Sequence, residues 1–271
     1  EPWQDAFDGS AFVTGLLLAM IIPANVPWYC PVVGSAFAIA IAKQCFGGLG
    51  YNIWNPALAG RIFLQFAYPT AISLSAWPTP RSVGLAAHAT VAETQASPLF
   101  KGAAEEAVTG WDKYLDLFLG LGVSGSLGET SKLMLLIGGV FLIACRYIDW
   151  RVPVFYIGTV FLLTAILPAG TEGAPWWQND PLYHILSGGL FIGAFYMATD
   201  MVTTPVTRKG RIIFAVGCGV LTSVIRFYSG YPEGVAYSIF LMNTAVPLID
   251  RWTKPAPFGM GTLKEQAETA T

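Results

Sequence analysis

Apolar positions in the chain fall into eight runs, at about 10–23, 32–46, 57–76, 132–148, 152–168, 182–199, 211–227 and 233–249. Each is long enough to cross, or partly cross, a hydrocarbon core about 30 Å thick. They predict an all-α, polytopic membrane protein with about eight membrane helices. Pro23, Pro27 and Pro31 cut the first two runs short, so those helices are expected to be tilted or discontinuous, with Cys30 near their turn. Between the second and third runs stands Lys43-Gln-Cys-Phe-Gly-Gly-Leu-Gly-Tyr-Asn-Ile-Trp-Asn-Pro, whose glycines, asparagines and proline cannot continue a spanning helix. Irregular backbone at that depth needs a protein-lined or wet surrounding. A similar plan returns about 174 residues later, where Gly189-Leu-Phe-Ile-Gly through Arg226-Phe-Tyr-Ser-Gly-Tyr-Pro-Glu-Gly-Val echoes the stretch from Gly15 to Pro56.

Charge turns this pattern into a topology. Arg146 and Arg151 flank one short loop, Arg208, Lys209 and Arg211 another, and Arg251 and Lys254 follow the last run, so these three places are expected at the cytoplasm. Loops 24–31 and 168–181 lack lysine and arginine and are expected outside, the second with Trp176 and Trp177 suited to an interface. The first unit then runs inside to outside and its echo outside to inside, an inverted repeat. The expected organisation is a single membrane domain over 1–271. Within it, 10–76 is one repeat unit, 77–131 an extracytoplasmic loop, 132–168 a helix pair, 182–250 the second unit and 251–271 a polar cytoplasmic tail. Because a helix pair precedes only the second unit, the symmetry predicts two further helices before the first, about ten in the whole protein. Inside the long loop, residues 111–122 read as an amphipathic interfacial helix, and Thr130 or Ser131 as the N-cap of the next helix.

Composition agrees: 54% of the 271 residues are hydrophobic, 12% are charged and mean hydropathy is +0.54, values of an integral membrane protein. A net charge of -2 argues against nucleic acid as a partner. Cys30, Cys45, Cys145 and Cys218 have no C-x-x-C spacing and read as buried thiols. Glu1 opens the chain without a basic region or cleavage signature, so no signal peptide is expected.

Few residues offer chemistry. Thr94 and Ser97 stand three apart in Glu93-Thr-Gln-Ala-Ser-Pro-Leu, a pattern that by itself is that of a turn. Asp200, Glu233 and Asp250 lie where the bilayer meets water, and each could capture a cation at an entrance or serve its own helix: Asp200 as a cap, Glu233 at a helix N-terminus, Asp250 paired with Arg251. Lys43, Arg61 and Arg226 are expected to snorkel to the interface, with a bound phosphate group or an acidic partner residue as the alternative. His88 and His184 show no ligand spacing, and no metal is expected. No nucleophile, general base or phosphate loop is recognisable. A channel or secondary transporter without cofactor remains open on this reading, since inverted repeats with broken helices serve such proteins too.

Several motifs together point further. Thr14-Gly-Leu-Leu-Leu-Ala, Phe46-Gly-Gly-Leu-Gly-Tyr-Asn with Asn55-Pro-Ala, Gly128-Glu-Thr-Ser, Met197-Ala-Thr-Asp, Gly230-Tyr-Pro-Glu-Gly-Val and Val246-Pro-Leu-Ile-Asp follow one another in the order found in the RnfD/NqrB family. The chain resembles these membrane subunits of ion-translocating electron-transport complexes from about Ser10 to Gly259. Thr203-Thr-Pro-Val-Thr-Arg-Lys-Gly and Asp250-Arg-Trp-Thr-Lys-Pro look more like RnfD, of the ferredoxin:NAD-linked complex, than like NqrB of the quinone-linked one. The resemblance implies FMN attached through its phosphate to a hydroxyl in a motif like Asp-Gly-x-Ser-x-Ala-Thr. Val91-Ala-Glu-Thr-Gln-Ala-Ser97 takes that place, with Ser97 as acceptor, Thr94 as the preceding hydroxyl, serine replacing threonine and Val91 the leading aspartate. It further implies a noncovalent riboflavin toward the cytoplasmic side, for which the breaks at 47–55 and 200–205 are candidate walls. Implied too are a bacterial inner-membrane location, transport of Na+ or H+, and a multi-subunit complex with an RnfG-like flavoprotein, RnfA- and RnfE-like membrane subunits and RnfB- and RnfC-like soluble redox subunits. The chain would be part of an enzyme, not catalytic alone.

Overall fold

The computed structural model describes residues 9–23, 26–72, 77–78, 94–95, 111–121, 125–167, 180–229 and 234–255. Ser97, Glu233, His88 and the tail beyond 255 lie outside the described residues, and Thr94 is described in its backbone alone. Eleven α-helical pieces occur among them: α1 Ser10–Ile21, α2 Tyr29–Ala40, α3 Pro56–Ala67, α4 Pro69–Ile72, α5 Trp111–Leu119, α6 Lys132–Ala144, α7 Arg151–Ile166, α8 Pro181–Leu186, α9 Leu190–Ile192, α10 Arg208–Tyr228 and α11 Val235–Thr253. A two-residue antiparallel pair, β1 Trp77–Pro78 with β2 Thr94–Gln95, is a small departure from the all-α expectation; it aligns Pro78 with Thr94.

Helix occupies all eight apolar runs, with two corrections. The run at 57–76 is divided at Tyr68, which leaves the helical region (φ -133, ψ 59) ahead of Pro69, into α3 and α4. The run at 182–199 is not one helix. Ser187 takes an extended backbone after α8, Gly188 has φ 70, and α9 passes into a π-helical turn, Gly193–Met197. Gly193 lets α11 pack against this turn, since a Cβ there would stand 2.3 Å from Val235 Cγ1. Helix ends follow their residues. Asn55 caps α3 through Ala57 N–H and Leu58 N–H with Pro56 in the first turn, Ser131 caps α6, and Thr207 caps α10.

α1, α2 and α3 pack on one another, and α10 packs on both α7 and α11. α3 meets α11, and the π-turn packs against α6, α7 and α11. Leu18, Leu58, Leu64, Leu190, Met197, Phe214 and Ile239 form the shared core. Close approach comes from small residues: a Cβ at Gly60 would lie 2.9 Å from the Gly34 carbonyl oxygen where α3 crosses α2. Three buried hydroxyls tie α7, α10 and α11 in a triangle: Tyr156 to Thr222 at 2.7 Å, Tyr156 to Ser238 at 2.9 Å, Thr222 to Ser238 at 2.7 Å.

The outward faces are apolar as well. α6 buries Leu135 and Gly139 yet exposes Met134, Ile137, Val140 and Phe141, and α1 exposes Phe12 and Leu16. A helix apolar on every side belongs in a large core or in lipid. Tyr29–Phe46 and Arg208–Tyr228 are, among the described residues, the helical stretches long and apolar enough to cross a membrane; α1, α6 and α7 are shorter apolar helices.

Candidate functional site at the junction of the broken segments

The break after α2 begins at Lys43, which is 4% exposed and donates from Nζ to Ser10 Oγ. A short 3-10 turn, Gln44–Phe46, leads into Gly47, Gly48 and Gly50, all with positive φ (114, 88 and 92). Side chains other than glycine rarely take that conformation, so the motif's glycines are required by the path of the chain. The path returns through buried Asn52, whose amide donates to the Trp54 carbonyl at 3.0 Å, to Asn55.

Asn55 does more than cap α3. Its Nδ2 donates to the Met197 carbonyl at 3.4 Å, the last residue of the π-turn. Asn243 of α11, 1% exposed, completes the junction: its amide oxygen accepts from Asn55 N–H at 3.1 Å while its nitrogen donates to the carbonyls of Thr203 at 3.3 Å and Ile239 at 3.2 Å. Pro247, four residues on, cannot donate to the Asn243 carbonyl, so the ladder of α11 is interrupted at the residue that bridges the two breaks. Beside the junction, the Trp54 indole stacks on Phe240 at 5.0 Å and 15° and donates to Thr244 Oγ1 at 2.8 Å.

The second break folds on its own carboxylate. Asp200 accepts from Val202 N–H at 3.3 Å and from the Thr203 hydroxyl at 3.2 Å, and Thr204 N–H donates to the Asp200 carbonyl at 3.1 Å. Burial pushes the Asp200 carboxyl above its ordinary range, against the lowering effect of those two bonds to its side chain. Asp250 does not pair with Arg251. Its Oδ1 accepts from Val206 N–H at 3.1 Å and fixes the same turn from α11, while Thr207 and Thr253 hydroxyls meet at 2.5 Å. The two aspartates thus reach one turn from opposite sides, each in a local structural role.

The basic residues do not snorkel. Lys43, Arg61 and Arg226 are all buried. Arg61 pairs with Glu129 at 3.4 Å, the acidic-partner alternative. Lys132, 1% exposed, donates to the Glu129 carbonyl. Arg226 donates to the carbonyls of His184 at 2.5 Å and Ser187 at 3.3 Å, where α8 ends. Charge buried among apolar helices costs several kcal/mol per ion unless paired, so these side chains turn inward to partners. The thiols also divide: Cys30 and Cys218 are buried, but Cys45 and Cys145 are exposed, against the expectation of buried thiols throughout. Sequence reasoning does not single out Glu129 or Asn243 as site residues. Gly128-Glu-Thr-Ser is the signal for the first; an asparagine four residues before a helical proline is the signal for the second.

An apolar helical body whose buried polar groups are met by partners inside it, many of them at two breaks, is the architecture of a membrane subunit. The chain belongs to the NQR2, RnfD, RnfE family, whose description matches residues 1–259. It is 49% identical over 262 residues, 93% of this chain and 75% of the relative, to the D-type subunit of a proton-translocating ferredoxin:NAD(+) oxidoreductase complex of Clostridium ljungdahlii. Identity is also 49% over 263 residues, 96% of this chain and 76% of the relative, to the D-type subunit of the Na(+)-translocating ferredoxin:NAD(+) oxidoreductase complex of Acetobacterium woodii. The D-type subunit of an ion-translocating oxidoreductase complex of Stutzerimonas stutzeri is 39% identical over 280 residues, 96% of this chain and 78% of the relative. The resemblance to RnfD drawn from the motifs therefore holds.

Proposed function

We propose that this chain is the D-type membrane subunit of an ion-translocating ferredoxin:NAD+ oxidoreductase complex of the bacterial inner membrane. In this reading it carries FMN esterified to Ser97 outside and riboflavin near the junction, and couples electron passage to movement of Na+ or H+. The observation that carries it is 49% identity to two such subunits across more than nine-tenths of the chain. Those two relatives are named for different ions, so the cation is left as a class.

Eight membrane helices and an inverted repeat belong to the same reading, supported by helix in every apolar run and by four successive helical pieces in each unit, α1 to α4 and α8 to α11. The flavins would supply the redox chemistry; the chain supplies position and polarity. At the junction, buried Asn52, Asn55 and Asn243 amides beside the stacked Trp54 and Phe240 rings fit the needs of an isoalloxazine, hydrogen bonds at an edge and apolar contact on a face. Asp200, Asp250 and Glu233 are the carboxylates proposed to meet the cation on its way. The partners in this reading are an RnfG-like flavoprotein, RnfA- and RnfE-like membrane subunits and RnfB- and RnfC-like soluble subunits.

In-gel flavin fluorescence of the denatured subunit tests the covalent part, with peptide mass of residues 90–101. Fluorescence on the band, an FMN-sized mass on Ser97 and loss of both in Ser97→Ala are expected. A dark wild-type band would remove the FMN assignment and favour ion movement without it.

A further inference from the structure

Two basic stretches far apart in sequence close on one another in the fold. The loop between α6 and α7 and the start of α10 enclose a cleft of about 660 Å3, lined by Arg146, Arg151, Arg208 and Arg211 against one carboxylate, Asp149. Asp149 organises two of the four: its oxygens take Arg151 Nη1 at 3.1 Å and Arg211 Nη1 at 2.8 Å, and Arg211 Nε donates to the Pro205 carbonyl at 3.0 Å. The Arg146 and Arg208 guanidinium groups make no ion pair or hydrogen bond among the described residues. Four arginines against one aspartate leave an excess of three positive charges in a cleft where α7 and α10 both begin, and helix N-termini add to the attraction for an anion.

Depth identifies the anion. Tyr147 and Trp150 beside the cleft are exposed at 61% and 48%, and Met201 at 75%, while the helices that meet there present apolar faces outward. Arg151 lies 5.2 Å over the Trp150 ring. Arginine with half-exposed tyrosine and tryptophan at the end of apolar helices is the composition of the headgroup level of a bilayer. We propose that this cleft binds the phosphate of an anionic phospholipid of the inner leaflet, with the Arg146 and Arg208 guanidinium groups as its ligands. Asp149 is a positioning residue that holds Arg151 and Arg211 at the back of the site.

This rests on the membrane arrangement proposed above, and the test separates the two. The complex containing this chain, purified in mild detergent, is placed in nanodiscs of phosphatidylcholine with or without phosphatidylglycerol, and lipid retained after exchange into detergent is measured by mass spectrometry. Wild type is expected to retain phosphatidylglycerol preferentially. Each arginine near an anionic surface is worth about a fivefold change in affinity, so the double variant Arg146→Gln/Arg208→Gln should lose roughly tenfold or more of the preference. The Arg146→Lys/Arg208→Lys variant should keep much of it. Competition by millimolar inorganic phosphate without loss from the double variant would show that the retained lipid sits elsewhere and overturn the assignment. So would equal retention by wild type and the double Gln variant, or loss of partner subunits from that variant with lipid unchanged, which would make the cleft a protein-docking surface. Labelling of exposed Cys145 in a Cys45→Ser background by a membrane-impermeant thiol reagent reports the topology alone. Labelling from the cytoplasmic side with no lipid preference sinks the lipid site and leaves the arrangement standing.

Discussion

Asn243 joins both breaks through one amide, and its loss should be felt at each. Asn243→Leu leaves the Asn55 N–H and the Thr203 carbonyl without the partners they now have, at about 1–3 kcal/mol for each buried group. Asn55→Ser should cost less, because serine caps α3 about as well and forgoes chiefly the contact with Met197. Thermal unfolding of the detergent-solubilised protein should rank the two in that order, and equal losses would mean that capping, not bridging, holds the junction. Glu129→Gln should cost more than an exposed ion pair would, on the order of 3 kcal/mol, since Arg61 would keep its buried charge.

Two aspartates outside the helices predict opposite responses to pH. Burial raises Asp149, but hydrogen bonds from the Arg151 backbone and from the Arg211 and Arg151 side chains outweigh it and hold the carboxyl below its usual range. Its stabilisation is complete above the unfolded value near about 4 and is lost as pH falls through the lower folded value. Asp149→Asn should therefore destabilise at neutral pH and lose its effect at low pH. Asp200 has the reverse sign. With its folded value raised, the folded state binds the proton more readily, and stability declines as pH rises from the unfolded value through the raised one. Asp200→Asn is expected to stabilise at neutral pH, with the gain vanishing on acidification; unfolding temperatures from pH 4 to 8 would show it, and a gain independent of pH would contradict the burial argument.

At the level of elements, helix crossings set by glycine should be more sensitive than glycine itself. Gly60 faces the Gly34 carbonyl and Ala38 Cβ, which a new Cβ would approach to 2.9 and 3.1 Å, so Gly60→Val should force α2 and α3 apart at about 1–3 kcal/mol. Gly15 in α1 has nothing within 4 Å of its notional Cβ, and Gly15→Ala should gain about 0.5–1 kcal/mol from helix propensity. The pair of variants, compared by unfolding in detergent, distinguishes packing from propensity on two glycines of neighbouring helices. The π-turn follows the same logic: Gly193 lets α11 approach through Val235, and the carbonyl of the turn's last residue, Met197, meets Asn55.

For the whole molecule, the basic loops predict which ends share a side. Alkaline phosphatase fused after residue 255 should be inactive in cells, and fused within 174–178 active, because the enzyme matures only outside the cytoplasm. The reverse result would invert the arrangement and move Ser97 to the cytoplasm with it. Arg146, Arg151, Arg208 and Arg211, which gave that orientation as separate loops, also meet in one cleft, so their charge has a local use besides the topological one.

By itself the sequence determined where helix forms, because apolar runs of sufficient length, Asn55-Pro56 and Ser131 act over a few residues. It also determined the first break, since glycines at 47, 48 and 50 must take positive φ, and the family, since its motifs are local strings, but not the break within 182–199. Only the tertiary structure decided what those local features face. Arg61 could reach the interface or a carboxylate 68 positions on, and the choice fell to Glu129 because the packed helices leave that charge no water. Asp250 was adjacent to Arg251 in sequence but was claimed by Val206 N–H, since a turn with an unmet backbone donor lay against α11. Asn243 was marked in the sequence only by the helical proline four residues on, which says nothing of what its amide would meet. Its role exists only because α11 brings it between two breaks that are far apart in the chain, and long-range contacts of that kind leave no periodicity for a sequence to show.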